Sequence, residues 1–166
     1  TNTRTIAQTI IFGRVFNDNS GTTNDASKAY NGVQDTGESG VANSTVRLTN
    51  CNSTTLATTS TEANGDYKFT IDQDQLPASF CIVQTNLPEY ISVSGASPTG
   101  AYSRNTDTIT VPKTTATSYP NNNFADVKLN VVLTEDGQHT ITAGEVTDYP
   151  HRLSTQAPVW VTQLEQ

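Results

Sequence analysis

The chain consists of short runs in which hydrophobic and polar residues alternate, separated by clusters of Asn, Asp, Gly and Ser. The clearest run is GDYKFTI, in which Tyr67, Phe69 and Ile71 alternate with polar neighbours. A period of two places every second side chain on the same face, so this run predicts a strand with one buried face. The run FCIVQT at 80–85 is apolar on both faces and predicts a central strand.

Similar runs recur along the chain, and none has convincing helical periodicity. Strands are predicted at 6–16, 44–50, 54–61, 65–71, 80–85, 90–94, 107–111, 125–133 and 157–164. Short strands at this spacing, joined by Asn/Gly turns, predict an all-β protein with an antiparallel sandwich fold. The best boundary lies near 120–126, with the sandwich at 1–127. The remaining segment, 128–166, is too short for a core of its own. We expect it to add strands or to begin a further module.

Composition and charge narrow the class of protein. The 166 residues include 29 Thr, 15 Asn and 13 Ser, and only 15% are charged, which is below the usual share of about 25%. Thr favours strands and Asn and Ser favour turns, which supports the all-β prediction. With a net charge of −7, the chain lacks the basic stripe of a nucleic-acid-binding protein. No apolar run approaches the roughly 18 residues of a membrane span, so we expect no membrane insertion of this segment.

The two cysteines, Cys51 and Cys81, lie 30 residues apart and have no nearby His partners. They therefore do not suit a zinc site, which needs about four nitrogen or sulfur ligands. Each lies beside a predicted strand, so adjacent strands could bring them together as a disulfide, which would indicate an oxidising compartment. The alternative is a pair of buried thiols in a cytosolic protein. The Thr- and Asn-rich, Lys-poor composition favours the disulfide.

The polar stretch 17–40 is the segment with the most chemical content. The second half of the EF-hand calcium pattern is matched by the segment NGVQDTGE, in which Asn31 precedes a glycine and five residues separate that glycine from Glu38. Calcium prefers six to eight oxygen ligands, with a backbone carbonyl after the glycine and a bidentate glutamate at the end. In this register Asn31 would give a side-chain oxygen, Val33 its carbonyl, Asp35 a direct or water-mediated contact, and Glu38 two oxygens.

The first half of the pattern fails in strict register, because Ala29 would occupy position three and alanine has no side-chain oxygen. The mismatch is resolved if residues 22–30 are an insertion, since Asp18 and Ser20 then take positions one and three. Asp25 from the insertion could replace Ser20 or bind a second ion. These ligands are hard oxygens, so the loop predicts Ca²⁺ rather than zinc or copper. The alternative is a solvated loop without metal.

Several segments resemble the SdrD B-like repeat, a calcium-binding relative of the collagen-adhesin B-type domain of bacterial surface proteins. These segments are VFND at 15–18, NGVQDTGESG at 31–40, VRLT at 46–49, TEANGDYKF at 61–69 and NFADV at 123–127. The resemblance covers about 10–127. It implies a transthyretin-like, reverse-immunoglobulin sandwich that binds calcium and serves as a stalk or spacer.

The resemblance also implies an extracellular location on a bacterial cell surface. The partners would then be neighbouring domains of the same long chain. The tail 128–166 is similar to the opening of another surface-protein repeat, which agrees with a module from a longer chain. The alternative function is an adhesive module that grips a host protein or carbohydrate through exposed loops.

Catalysis is not predicted. The two histidines, His139 and His151, have no Ser or Cys nucleophile in a recognisable setting such as G-x-S-x-G. Asp126, Asp136 and Asp148 are isolated along the chain, and we expect them in turns rather than as a glycosidase pair. An enzyme would need titratable groups that converge in a cleft.

Overall fold

The computed structural model of the protein describes residues 5–133 and 139–142. Within these residues there are twelve strands and two short 3-10 turns, at Ala26–Lys28 and Gln73–Gln75. The strands are β1 (Gln8–Asn17), β2 (Thr45–Thr49), β3 (Thr55–Ser60), β4 (Asp66–Asp72), β5 (Ser79–Thr85), β6 (Tyr90–Ala96), β7 (Ala101–Ser103), β8 (Thr108–Pro112), β9 (Ser118–Tyr119), β10 (Asn123–Lys128), β11 (Asn130–Leu133) and β12 (His139–Thr142). The all-β prediction is confirmed.

Two sheets form a sandwich. In the first sheet the order is β4-β1-β10-β6, and β9 also pairs with β1. In the second sheet the order is β3-β2-β5-β8-β7, and every pair is antiparallel. In the first sheet β1 runs parallel to β9 and β10, whereas the other pairs are antiparallel. The predicted sandwich is confirmed, and the parallel pairing of β1 is an addition that the period-two pattern does not specify.

The core lies between the two sheets. The alternation in β4 has the predicted result, because Tyr67 and Phe69 are buried and Ile71 is half-buried. β5 lies between β2 and β8, and it is buried at Phe80 and Ile82 on one face and at Cys81 on the other, as expected of a central strand. Each large apolar side chain removed from water contributes about 1.5–3 kcal/mol. Among the described residues, other large side chains that are fully buried include Phe124, Ile11, Leu48 and Ile109.

Cys51 and Cys81 form a disulfide, which confirms that prediction. Cys51 follows β2, and Cys81 lies in the neighbouring strand β5, opposite Thr49. This register brings the two Cα atoms to 5.0 Å, a separation normal for a disulfide. The bond closes a loop that contains β3 and β4. It therefore restrains strands of both sheets.

Gly13 in β1 lies against the segment that joins β9 to β10, which both run parallel to β1. A Cβ atom at this position would lie 1.8 Å from the carbonyl oxygen of Asn122, so only glycine fits. The Asn122 amide donates to the carbonyl oxygens of Phe12 and Tyr119, and the Tyr67 hydroxyl donates to the carbonyl oxygen of Asn122. These bonds hold the segment between β9 and β10 against β1, a few residues before β1 ends and the loop with the candidate site begins.

The predicted strand at 125–133 is divided in the structure. β10 ends at Lys128, and the Leu129 N–H donates to the carbonyl oxygen of Glu89 at 2.7 Å. β11 then pairs with β12 in a separate two-stranded sheet. The predicted strand at 157–164 and most of the segment 128–166 lie outside the described residues. The domain boundary therefore stays a prediction.

Candidate metal site

The loop between β1 and β2 folds back so that the two ends of the insertion meet. Asn19 pairs with Ala29 in an isolated antiparallel bridge. The Tyr30 N–H donates to the carbonyl oxygen of Asp18 at 2.9 Å. The chain before the insertion therefore lies beside the chain after it, and Asp18 is brought close to the turn that begins at Asn31.

Asp18 directly follows β1 and has no exposed surface. Its backbone N–H donates to the carbonyl oxygen of Asp126 at 2.7 Å, which fixes it against β10. Its Oδ2 accepts from the N–H of Gly32 at 2.6 Å. Its Oδ1 is also buried and has no hydrogen-bond partner. A buried oxygen that lacks a donor is costly, so this atom is an unsatisfied feature of the loop.

Glu38 is almost fully buried at the other end of the loop. Its Oε1 accepts from the N–H of Ser20 at 2.8 Å, and its Oε2 accepts from the N–H of Asp35 at 2.7 Å. Burial raises the pKa of Glu38, these two backbone hydrogen bonds oppose the rise, and the charges of Asp18 and Asp35 add to it. Asp18 and Asp35 are therefore each close enough to Glu38 for their charges to repel it.

Asp35 contacts both halves of the loop. Its Oδ2 accepts from the side-chain amide of Asn31 at 2.9 Å. Its Oδ1 lies 3.2 Å from Nζ of Lys28. The Oδ1 of Asn31 accepts from the N–H of Val33 at 2.9 Å, which closes a tight turn. The second half of the loop is therefore a compact turn that Asn31 and Asp35 hold together.

Of the remaining predicted residues, Ser20 and Val33 contact Glu38 and Asn31 through their backbone N–H groups, and Asp25 lies in the insertion. The Val33 side chain is exposed, as expected if only its carbonyl has a role. Ser20 reaches Glu38 through its backbone N–H and has a positive φ of 70°. Asp25 is exposed and caps the 3-10 turn, because its Oδ1 accepts from the N–H and the hydroxyl of Ser27. The hydroxyl bond is the main cause that lowers the pKa of Asp25.

In the part of the chain that the structure describes, no three His, Cys, Asp or Glu side chains come together closely enough to hold a metal ion on their own. A cation site in this loop would therefore also need the amide oxygen of Asn31 and backbone carbonyls, as in the EF-hand pattern. The donors are hard oxygens, which suit calcium. The unpartnered Oδ1 of Asp18 is an acceptor that a cation would satisfy.

A second group of buried polar residues lies near the end of β10, and sequence reasoning missed it. Asp126 is not in a turn but in β10, within the predicted strand 125–133, and it has no exposed surface. Its Oδ2 accepts from Nε2 of Gln84 in β5 at 2.6 Å. Asp107, before β8, accepts at Oδ1 from the Tyr102 hydroxyl at 2.9 Å. With its nitrogen turned toward the acids, the Asn86 amide lies 3.1 Å from Asp126 Oδ2 and 3.2 Å from Asp107 Oδ2.

Burial controls the protonation of these two acids. It raises the pKa of Asp126 to about 7, the Asp107 charge adds to the rise, and the Gln84 hydrogen bond opposes it. Burial also raises the pKa of Asp107. The sequence gives one signal for this burial, which is that Asp126 lies between apolar residues in FADV. The partners come from distant segments and could not be predicted from that pattern.

The family model of the SdrD B-like domain matches residues 21–131. The chain belongs to the SdrD B-like family. SdrD B-like domains occur as modules of surface proteins. The match includes most of the loop after β1 but begins after Asp18 and Ser20, so the role of those two residues depends on their own geometry. No curated protein matches this SdrD B-like chain. Among its described residues, no helix is long and apolar enough to cross a membrane.

Proposed function

We propose that this SdrD B-like chain is a structural spacer or stalk module of a bacterial surface adhesin, made rigid by calcium in the β1–β2 loop. The observation that carries the proposal is the buried, unpartnered Oδ1 of Asp18 beside a loop with further acids. The residues that would hold the ion are Asp18, Asn31, Asp35, Glu38 and the carbonyl of Val33. Bound calcium would supply the positive charge that offsets the repulsion among the acids.

The length of the β1–β2 loop is one reason why a bound cation would stabilise it. Connections longer than about 12–15 residues without secondary structure are usually functional or disordered. This connection runs from Asp18 to Ser44, and apart from isolated β-bridges its regular structure is a single three-residue 3-10 turn. Its acids hold the loop together through backbone N–H groups, while their charges repel one another. A cation would leave the hydrogen bonds in place and remove the repulsion.

The proposed location is extracellular. The disulfide between Cys51 and Cys81 suits an oxidising compartment. Extracellular calcium modules bind the ion at about 10⁻⁴–10⁻³ M, which is useful where calcium is plentiful. Neighbouring domains of the same chain are the partners we propose.

Thermal unfolding with calcium and with chelator tests the proposed function. At 100 times the dissociation constant, calcium should stabilise the wild type by about 2.7 kcal/mol, which raises the melting temperature by about 5–10 °C. Glu38→Gln should lose most of this increment, because the amide supplies one neutral oxygen instead of two charged ones. Glu38→Gln should also melt lower in chelator, since one backbone N–H loses its acceptor.

The matched control is Glu62→Gln, which makes the same change at an exposed glutamate between β3 and β4. It should retain the full calcium increment. Equal melting temperatures of the wild type with calcium and with chelator would remove the metal from the proposal.

A second candidate function, the adhesive module, is favoured by one observation. A cleft of about 600 Å³ lies on the first sheet, lined by Phe12, Arg14, Lys68 and Asn121 among others. Its size is in the range of ligand pockets. Direct binding to immobilised glycans and host surface proteins, with Lys68→Ala as the comparison, would test it. Absence of binding by the wild type would leave the spacer role.

A further inference from the structure

The insertion at 22–30 in the β1–β2 loop contains Lys28, which lies beside Asp35 of the candidate metal site. Lys28 is the last residue of the 3-10 turn, and Asp25 caps this turn by accepting from the N–H of Ser27 at 3.0 Å and from its hydroxyl at 2.7 Å. The next residue, Ala29, pairs with Asn19. Because the turn is held at both ends, the fold of the insertion sets the position of Lys28.

Lys28 contacts an acid that the proposed calcium site would use. Its Nζ lies 3.2 Å from Oδ1 of Asp35; the Lys28 side chain is 42% exposed and that of Asp35 only 13%. The other oxygen of Asp35 accepts from Asn31, and the charge of Asp35 contributes to the raised pKa of Glu38. The ammonium group therefore supplies positive charge where the loop has an excess of negative charge.

We propose that Lys28 is a tethered cation that occupies Asp35 and competes with calcium, so that the insertion sets the calcium affinity of the loop. This inference rests on the proposed function. An ammonium group and a divalent cation at the same carboxylate repel each other. Lys28 must therefore leave Asp35 or remain nearby at an electrostatic cost. Either way, the lysine weakens calcium binding and partly stabilises the loop without it.

The size of the effect follows from the exposure of the ion pair. Half-exposed pairs of this kind change equilibria by factors of about 1.4 to 5. Repulsion of the incoming ion acts in the same direction. We therefore expect Lys28→Gln to bind calcium about fivefold more tightly than the wild type. Lys28→Arg keeps the charge, so its calcium affinity should stay close to that of the wild type.

Calorimetric titration of the full chain with calcium chloride tests the inference. The matched control is Lys128→Gln, because Lys128 is also a half-exposed lysine paired with an acid, with its Nζ 3.7 Å from Glu89. It makes the same change in net charge outside the loop, so its calcium affinity should match the wild type. In chelator, Lys28→Gln should melt about 1–2 °C below the wild type, because it loses the ion pair.

Each outcome decides one of the two claims. If the wild type binds calcium and Lys28→Gln binds it equally or more weakly, competition by Lys28 is wrong and the proposed function stands. If Lys128→Gln gains as much affinity as Lys28→Gln, the gain reflects net charge and the inference is also overturned. If neither the wild type nor Lys28→Gln binds calcium up to millimolar concentrations, both claims fail.

Discussion

At the scale of single residues, Asp107 and Asp126 are two carboxyl groups that neutral partners hold in the interior. The Tyr102 hydroxyl donates to Asp107, and Gln84 donates to Asp126. These donors satisfy oxygen atoms but do not neutralise charge. Burial therefore raises the pKa of both acids, and that of Asp126 reaches about 7. The native protein holds protons at these acids more firmly than the unfolded chain does.

This proton uptake makes stability depend on pH. A carboxyl group with a raised folded-state pKa contributes stability that is fully present below about pH 4 and is lost as the pH rises through about 7. For Asp126, the difference between 3.8 and about 7 corresponds to at most roughly 4 kcal/mol. Urea unfolding between pH 5 and pH 8, in chelator, should show the wild type losing stability with rising pH.

Asp126→Asn isolates the contribution of this acid. The variant keeps the shape of the side chain but has no charge, so its stability should change much less between pH 5 and pH 8. The exposed substitution Glu62→Gln should leave the wild-type profile unchanged. If the free energy of unfolding depends on pH in the same way for the wild type and Asp126→Asn, then Asp126 titrates normally in the folded protein.

A local spacing pattern can predict contacts between residues that are close in the chain, whereas the role of the predicted metal ligands stays a prediction. Asn31, Asp35 and Glu38 follow a local spacing pattern, and the structure forms a compact turn there. The burial of Asp126 could not be predicted in this way. Its cost is offset by groups on β5 and on the segment before β6, and their proximity arises only when the two sheets pack.

At the scale of the elements, the disulfide is the covalent link between β2 and β5. The loop that it closes has a sequence separation of 30 residues. In the chain-entropy model a loop of this length contributes about 3–4 kcal/mol by restricting the unfolded chain. The double substitution Cys51→Ser with Cys81→Ser should lower the free energy of unfolding by that amount.

Urea unfolding in chelator measures this loss without any contribution from calcium. Reducing agent added to the wild type should produce a similar loss, whereas the double variant should not respond to it. If the free energy of unfolding of the double variant lies within about 1 kcal/mol of the wild-type value, the expected contribution of the disulfide is wrong.

Strand positions were predictable because alternation is local, whereas strand partners were not. Tyr67 and Phe69 are buried as their spacing predicts. The break in the predicted strand 125–133 at Leu129 could not be predicted from its apolar pattern. β10 ends there because its pairing with β6 ends there. The pairing of β1 with β10 joins residues more than 100 positions apart, and no short pattern specifies it.

At the scale of the whole molecule, residues near both ends of the sandwich lie in neighbouring strands that point the same way. Val15 of β1 is opposite Phe124 of β10, and the two strands are parallel. A module that stands in a chain of domains carries tension through its two termini. A pulling force applied between Gln8 and Lys128 would load β1 and β10 in shear. The hydrogen bonds between the two strands would then resist the force together.

Pulling at other attachment points tests this consequence. Between Glu89 and Lys128 the same force would separate the antiparallel β6 and β10 from one end, one bond after another. Single-molecule stretching should therefore give a higher rupture force for the first pair of handles than for the second. If the two rupture forces are equal, the parallel pairing of β1 with β10 does not make the module more resistant to pulling.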